Sequence, residues 1–176
     1  MEAIATAGAR MTDGEFVISR TFDAPRDLVF KANTDPEHLK HWWGPKGFAV
    51  IACTVDLRPG GVFHYGLRSA NGVEMWGRWV YREIVAPERL VVAGGFSDPQ
   101  GGLARNPFSP SWPLETLSTS TFTEKAGRTT LTIHWAPLNP TEEERKTFAA
   151  GRDGMEQGFA GTFAQLDAHL ATMRAR

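Results

Sequence analysis

Residues able to act as nucleophiles or proton carriers are few in this sequence, and they are dispersed along it. Of the five histidines, His64 and His134 fall on strand positions that should face solvent, and His169 lies near the end of a predicted helix. None has an obvious nucleophile beside it, so a Ser-His-Asp or Cys-His mechanism lacks support. Cys53, the single cysteine, occurs in an apolar run, where a free cysteine usually behaves as a small buried hydrophobe.

Two further histidines raise the question of a metal. His38 and His41 lie three residues apart on a predicted short helix and could in principle share an ion. No third ligand is close in the sequence except Glu37, and exposed helical histidines are usually only solvated. The sequence therefore predicts no metal site and indicates no cofactor.

Carboxylates offer another chemical possibility. An inward-facing acid such as Asp56 or Glu83, placed beside Tyr65 or Tyr81, could support a cyclase or hydrolase. No paired arrangement demands this, because Asp56 precedes a Pro-Gly-Gly turn, where a carboxylate commonly accepts backbone hydrogen bonds. Catalysis is therefore a weaker hypothesis than simple binding.

Aromatic and sulfur-containing residues form a larger candidate set, which either fills a core or lines a ligand cavity. Met155 and Met75 are adaptable side chains that suit ligands of varied shape. Ser118 and Ser120 share a strand face with Phe122 and would supply the few oriented polar groups that an apolar pocket needs. The predicted cavity lining comprises Phe48, Phe63, Tyr65, Met75, Trp79, Phe96, Ser118, Ser120, Trp135, Met155 and Phe159.

The tandem tryptophans of residues 40–48, KHWWGPKGF, end the second predicted helix. A tryptophan pair before Gly-Pro is most simply a plug that packs the helix onto the sheet. Adjacent residues cannot face the same way on a helix, so one of Trp42 and Trp43 could instead lie at the rim of a cavity. The pattern favours one plug and leaves a rim position open for the other.

A long segment without periodicity, residues 97–113, interrupts the strands. Loops longer than about 12–15 residues are uncommon in compact domains and are often functional or disordered. This one carries Phe108 and Trp112, which a merely solvated linker does not need. We expect these two aromatic residues to belong to a lid.

The surrounding elements predict an α+β fold. Seven segments with strand character run through the chain, two short helices follow the first strand, and a long amphipathic helix comes last. In that last helix Gly158 and Gly161 are expected to let other backbone approach closely. On the strands, Trp76 breaks the alternation and should be partly exposed. Residues 1–13 are interpreted as a flexible tail, and residues 14–176 as a single domain.

Composition narrows the class of partner. Hydrophobic residues make up 41% of the 176 residues, the net charge is −1, and lysines and arginines form no basic run, so the sequence does not predict nucleic-acid binding. No stretch has the length and apolar character of a membrane span, and the start lacks the apolar core of a signal peptide. One cysteine fits a reducing compartment, so the sequence predicts a cytoplasmic protein.

Several motifs together resemble the family of homologues of the activator of heat-shock-protein-90 ATPase, within the START-like (SRPBCC) superfamily. They are FDAPRDLVFKANTDPEHLKHWWGP, then VDLRPGGVFHY, then the strand from Trp79 to Leu90, and the closing GMEQGFAGTFAQLDAHL. The likeness runs from about Glu15 to Leu170. Met155 stands where the family usually has tryptophan, which would enlarge that part of a pocket.

The resemblance implies a helix-grip fold, in which a curved antiparallel sheet of about seven strands wraps around the long C-terminal helix. It also implies a cavity between sheet and helix that takes a small hydrophobic or aromatic molecule. Besides the cyclase or hydrolase, the sequence leaves open a stress- or chaperone-associated protein that uses an exposed apolar patch near Trp76 and the long loop. Homodimerisation through such a patch is equally compatible.

Overall fold

The computed structural model describes residues 6–175, which form nine strands and four helices. The strands are β1 (Thr6–Thr12), β2 (Glu15–Phe22), β3 (Phe48–Val55), β4 (Val62–Ser69), β5 (Glu74–Val85), β6 (Arg89–Ser97), β7 (Leu103–Ala104), β8 (Thr116–Lys125) and β9 (Arg128–Pro137). The helices are α1 (Arg26–Thr34), α2 (Pro36–Trp42), α3 (Glu142–Ala150) and α4 (Arg152–Arg174).

All strands belong to one antiparallel sheet. Its order is β1-β2-β9-β8-β6-β5-β4-β3, and the two-residue β7 pairs with β6 outside this path. The sheet, the long closing helix α4 and the two early helices confirm the α+β helix-grip prediction. None of the helices among the described residues combines the length and apolar character that a membrane crossing requires.

The first strand lies where the sequence predicted a flexible tail. Residues 6–12 of that tail form β1, which pairs with β2 through partners such as Met11 and Phe16. The connecting residues Asp13 and Gly14 both have positive φ, 51° and 77°, as a tight two-residue hairpin turn requires. Backbone pairing to β2 therefore forms the strand despite its small residues. Residues 1–5 of the predicted tail lie outside the described residues.

Helix starts and stops follow from local residue chemistry. Asp35 caps α2, because its Oδ1 accepts a hydrogen bond from the Glu37 backbone N–H at 2.9 Å and Pro36 occupies the first turn. Thr141 and Glu144 form a reciprocal capping box at the start of α3. These caps fix where α2 presents its tryptophans and where α3 meets the long loop.

The inner face of the sheet carries the apolar alternation that the sequence predicts. Phe63, Leu67, Tyr81 and Leu131 are all at most 1% exposed, and they alternate with polar residues on the outer face. Trp76 is partly exposed, as expected. It lies on the outer face, where its ring stacks on His64 at 5.4 Å between centroids.

Candidate ligand-binding cavity

A cavity of about 550 Å³ lies against the inner face of the sheet, beside the first half of α4. Its wall draws on β4, β5, β6, β8 and β9, on the end of α2, on the loop before β8 and on α4. Apart from Trp76, whose ring lies on the outer face, the aromatic lining residues are Trp42, Trp43, Tyr65, Trp79, Phe96, Trp112, Phe122, Trp135, Phe159 and Phe163. A cavity of this size is typical of small-molecule sites.

Glycines on α4 form the mouth of this cavity. Gly154 and Gly158 line it and are the exposed members of its wall. A Cβ added at either position would meet no atom within 4 Å. Gly158 therefore borders open space, whereas the sequence predicted that it lets other backbone approach closely. The difference arises because the rotation of the helix about its axis, which residue spacing alone does not determine, decides what each glycine faces.

Glycines in the sheet make room for aromatic rings that lie along its inner face. Tyr65 pairs with Gly77 across β4 and β5, and a Cβ on Gly77 would lie 2.3 Å from the tyrosine hydroxyl oxygen. Trp79 pairs with Gly94 in the same way, with its Cδ1 at 2.9 Å from such a Cβ. Because these rings lie against the strand backbone, less of their volume projects into the cavity.

The tandem tryptophans divide their roles. Trp42 is 3% exposed and its Nε1 donates to the Ala32 carbonyl at 2.9 Å, which fixes α2 against α1. Trp43 turns toward the sheet, where its ring lies 4.8 Å from Trp79 and 5.4 Å from Tyr65 between centroids. Both contribute to the cavity wall. The sequence predicted that one of the pair packs α2 onto the sheet without specifying which; Trp42 joins α2 to α1, and Trp43 lies in the aromatic cluster against the sheet.

Nine of the eleven residues predicted to line a cavity are brought to its wall. They are Tyr65, Met75, Trp79, Phe96, Ser118, Ser120, Trp135, Met155 and Phe159. Phe63 is not among them, because it is fully buried beneath Trp43 and Trp79, at 5.2 and 5.5 Å between centroids. Phe48, at the start of the edge strand β3, also lies away from the wall.

The long loop reaches the cavity through one of its two predicted lid residues. Trp112 lines the wall and packs against Phe148 and Trp135, at 5.4 and 5.8 Å between ring centroids. Phe108 is 62% exposed and does not reach the cavity. The part of the loop that carries Phe108 faces outward. Of the two residues predicted to belong to a lid, only Trp112 therefore lies in the cavity wall.

Polar contacts hold this loop to α3. Arg105 pairs with Glu144 at 2.7 Å, and Thr147 shares a hydrogen bond of 2.9 Å with Ser111. The Arg105 hydrogen bond is the main cause that holds the pKa of Glu144 below its usual value. The carboxylate therefore stays charged at neutral pH and keeps the loop attached to α3.

The wall of the cavity is uncharged. None of its lining residues is an aspartate, glutamate, lysine, arginine or histidine. Burial raises the pKa of Tyr65 to about 12, and the nearby indole of Trp43 offsets only part of that rise. Nε1 of Trp43 is itself buried without a hydrogen-bond partner in the described part of the chain. Tyr65 therefore remains a neutral phenol at physiological pH.

The two candidate acids of the enzyme hypothesis lie outside the cavity. Asp56 is exposed and pairs with Arg58 at 2.7 Å, and Glu83 is exposed and pairs with Arg89 at 3.1 Å. The expectation that either faces inward beside a tyrosine is therefore wrong. Both acids lie at solvent-facing ion pairs, and this geometry does not support a general acid or base in the cavity.

Three histidines meet away from the cavity, between α2 and α4. His38 Nδ1 lies 3.0 Å from His169 Nε2, and the His41 ring stacks on His169 at 5.2 Å between centroids. Within residues 6–175, no group of three or more histidine, cysteine, aspartate or glutamate side chains is arranged to hold a metal ion. His134 pairs with Glu15 on the outer face of the sheet.

Sequence reasoning missed several wall residues that the fold brings in. Thr116 lies on the same face of β8 as the two predicted serines, so its alternation was the signal that could have identified it. Gly154 and Gly158 repeat at a spacing of four on α4, which places them on one side of the helix. Leu90 and Val92 on β6 belong to the wall through the same alternation as Phe96.

Solved structures share this fold. A solution structure of a protein from Arthrobacter aurescens is 27% identical, with a TM-score of 0.79 over 96% of this chain and 93% of that one. A crystal structure from Mycobacterium smegmatis is 24% identical, with a TM-score of 0.75 over 93% and 96% of the two chains. No curated protein matches the sequence.

Sequence similarity identifies the family as well as the fold. A further neighbour in fold, a protein from Silicibacter pomeroyi whose crystal structure carries the AHSA1 name, is 19% identical, with a TM-score of 0.68 over 90% of this chain and 99% of that one. The family model described as "Activator of Hsp90 ATPase homolog 1-like protein" matches residues 23–171, most of the sequence. The chain therefore belongs to the Activator of Hsp90 ATPase homolog 1-like family.

Proposed function

We propose that the protein is a binding module that takes a small, uncharged hydrophobic or aromatic molecule into the cavity beside α4. The observation that carries the proposal is a cavity of about 550 Å³ with an aromatic wall that contains no charged residue. Members of the SRPBCC superfamily commonly bind hydrophobic ligands. Transfer of an apolar molecule from water to such a wall is favourable, and aromatic faces add specific ring contacts.

Access to the cavity supports binding over a merely imperfect core. Gly154 and Gly158 border the cavity and are exposed, so a ligand can reach the wall between α4 and the sheet without unfolding the helix. Trp112 lies near this mouth, since a Cβ on Gly151 would come within 3.4 Å of its ring, and the Arg105–Glu144 pair holds its loop. The cavity is thus reachable from solvent beside a wall residue that is held in place, which suits a reversible binding site.

The composition of the cavity wall is also the reason why we rank binding above catalysis. Acid–base catalysis needs a titratable group within hydrogen-bond reach of the substrate, at a pKa near the working pH. The titratable group that lines the cavity is Tyr65, whose pKa of about 12 keeps it protonated. Tyr65 can donate or accept a hydrogen bond to a ligand, which suits recognition.

Calorimetric titration with 2-methylnaphthalene, an uncharged aromatic probe, tests the proposal. Met155 is 8% exposed and lines the cavity, so Met155→Trp fills part of the space that the ligand would occupy. Val85→Trp adds the same ring at a position that is 41% exposed and lies outside the cavity wall.

We expect saturable binding by the native protein and by Val85→Trp, and at least about tenfold weaker binding by Met155→Trp. Circular dichroism checks that both variants are folded. Equal affinity in all three proteins would place the probe elsewhere and overturn the proposed site. Absence of binding to the native protein would contradict the proposal itself.

A further inference from the structure

Several polar side chains that line the cavity are already committed to partners within the protein. Asn33 Nδ2 donates to the Val29 carbonyl at 2.8 Å, and Thr162 Oγ1 donates to the Gly44 carbonyl at 3.2 Å. Asn106 Oδ1 accepts from the Phe108 backbone N–H at 2.8 Å. These groups hold the walls together and leave little capacity for a ligand.

Two serine hydroxyls differ from these groups. Ser118 and Ser120 line the cavity, and neither side chain has a hydrogen-bond partner among the described residues. Ser118 is 9% exposed. Their oxygens are nevertheless not enclosed by protein, because within residues 6–175 the fully enclosed unpartnered side-chain atoms are those of Arg20, Arg26, Trp43 and Tyr81. The two hydroxyls are therefore open to the cavity.

The sheet places these hydroxyls in a row and surrounds them with apolar side chains. Side chains two residues apart on a strand share one face and are separated by about 6.6 Å. Ser118 is paired with Val92 on β6 and Trp135 on β9, and Ser120 with Leu90 and Ile133. Each hydroxyl is thus flanked across the sheet by predominantly apolar side chains. A wholly apolar ligand would displace water from both and leave them unpaired, which costs binding free energy.

Charge sets the second requirement on the ligand. The wall contains no cationic or anionic side chain that could pair with an ion, so a carboxylate buried against it would lose hydration without compensation. A neutral hydroxyl or carbonyl oxygen loses much less on transfer, and either can pair with a serine hydroxyl, which donates and accepts.

We propose that the natural ligand is an uncharged aromatic molecule with two polar oxygen substituents, hydroxyl or carbonyl, which Ser118 and Ser120 recognise from β8. This inference rests on the proposed function and specifies its ligand class. Trp79 strengthens it, because its Nε1 and Thr116 Oγ1 both lie near Gly94, at 3.1 and 3.7 Å from the position of an added Cβ. Thr116, two residues before Ser118 on β8, thus continues the row of polar side chains along the same strand face.

Three naphthalene probes of matched size test this ligand class by calorimetry at pH 7. They are 2-methylnaphthalene, which is apolar, 2,6-dihydroxynaphthalene, which carries two neutral oxygens, and 2-naphthoate, which is an anion. The native protein should bind the diol about tenfold more tightly than 2-methylnaphthalene, as two modest hydrogen bonds predict. It should bind 2-naphthoate at least about tenfold more weakly than the diol.

The double variant Ser118→Ala/Ser120→Ala removes both hydroxyls with little loss of volume. It should bind the diol and 2-methylnaphthalene within about twofold of each other, because the hydrogen bonds are lost while the apolar wall remains. Thr119→Ala is the matched control, since Thr119 lies between the two serines and faces the other side of the sheet. This control should keep the native preference for the diol.

The outcomes separate this inference from the proposed function. Binding of 2-methylnaphthalene without any preference for the diol would overturn the inference and keep the cavity as a binding site. A preference that survives the double serine variant would assign recognition to other residues and equally overturn it. If the native protein bound none of the three probes, the proposed function itself would fail.

Discussion

The two halves of α4 use one helix for opposite purposes. Its first half, residues 152–161, contains Gly154, Gly158 and Gly161 and borders the cavity. Its second half, residues 162–174, contains no glycine; after Thr162 and Phe163, which still reach the cavity wall, it presents Leu166 and Leu170, each at most 1% exposed. In the first half, the absence of side chains at the glycines leaves open space. In the second half, the leucine side chains fill the core.

The sheet beneath each half repeats this difference. Under the second half, Phe22 meets Phe163 edge to face at 5.8 Å between centroids, and α1 adds Val29, which is fully buried. Beside the first half, Phe159 packs on Phe16 and Trp135, both at 5.7 Å between centroids, while Gly154 and Gly158 leave the mouth of the cavity open. We infer that stability is concentrated at one end of the fold, and that space for a ligand is concentrated at the other.

Truncation in the filled half should have the largest effect. Leu166 is fully buried and belongs to the core cluster, so Leu166→Ala removes contacts and leaves a void. We expect the free energy of unfolding to fall by about 3 kcal/mol, within the usual range for buried leucines. Urea denaturation measures it, with Ala164→Gly on the exposed side of the same half as a control that should cost about 1 kcal/mol. A loss below about 1 kcal/mol would mean that this half is not tightly packed.

Crowding the sheet at the cavity wall should have an intermediate effect on stability. Gly77→Ala places a Cβ 2.3 Å from the hydroxyl oxygen and 2.4 Å from Cζ of Tyr65, so the ring must move into the cavity. We expect a stability loss of about 1–3 kcal/mol from this overpacking, together with weaker binding of 2-methylnaphthalene. Tyr65→Phe/Gly77→Ala keeps the ring clash and removes only the hydroxyl, so it should recover little. Unchanged stability and binding in Gly77→Ala would contradict the ring placement.

Substitution of the glycines at the mouth of the cavity by alanine should increase stability, whereas the two preceding substitutions decrease it. A Cβ at Gly154 or Gly158 meets nothing within 4 Å, and alanine is the better helix former. Gly154→Ala and Gly158→Ala should each raise the free energy of unfolding by up to about 1 kcal/mol. The bulkier Gly158→Phe should slow ligand association, because its ring projects at the mouth. If both alanine variants were destabilised, the open space beside this half would be absent.

A rise to alkaline pH should have the smallest effect on stability. It compares a tyrosine of the cavity wall with a tyrosine of the filled core. Burial raises the pKa of Tyr65 at the wall to about 12, and it raises the pKa of Tyr81 in the core as well. Unfolded tyrosine ionises near pH 10, so the unfolded state loses protons first, and stability should decline as the pH rises from about 10 to 12. Burial also raises the pKa of Cys53 to about 11, which acts in the same direction.

Absorbance at 295 nm during that titration measures tyrosine ionisation in the folded protein. No phenolate signal should appear near pH 10, and Tyr65 should ionise before Tyr81. The Tyr65→Phe variant identifies which signal belongs to the wall. A native tyrosine that titrated near pH 10 would show that the cavity wall is well hydrated at that point.

Much of the fold could be predicted from the sequence because its signals are local. Alternation on β4, β5 and β9 identified the inner face, and the Thr141–Glu144 capping box placed α3. The strand β1 was missed, although Asp13-Gly14 carries the residues of a tight hairpin turn. Its small side chains hid a strand that is formed by backbone pairing.

The cavity could be predicted only in part, because its wall depends on how deeply each side chain is buried in the folded protein. Phe63 and Tyr65 share one strand face, yet Phe63 is buried beneath Trp43 while Tyr65 lines the wall. Alternation distinguishes the two faces of a strand, but it does not distinguish depth along one face. Likewise, the sequence could not tell which aromatic residue of the long loop turns inward, and only Trp112 does so.

The most direct test of the contrast along α4 is to locate a bound probe. Nuclear Overhauser effects can be measured between the protons of 2-methylnaphthalene and assigned protons of the isotope-labelled protein. We predict contacts to Gly158 and to the β-protons of Ser118, with none to the methyl groups of Leu166 or Leu170. Contacts to those leucine methyl groups, or to surface residues alone, would contradict the assignment of binding to the glycine-bordered half.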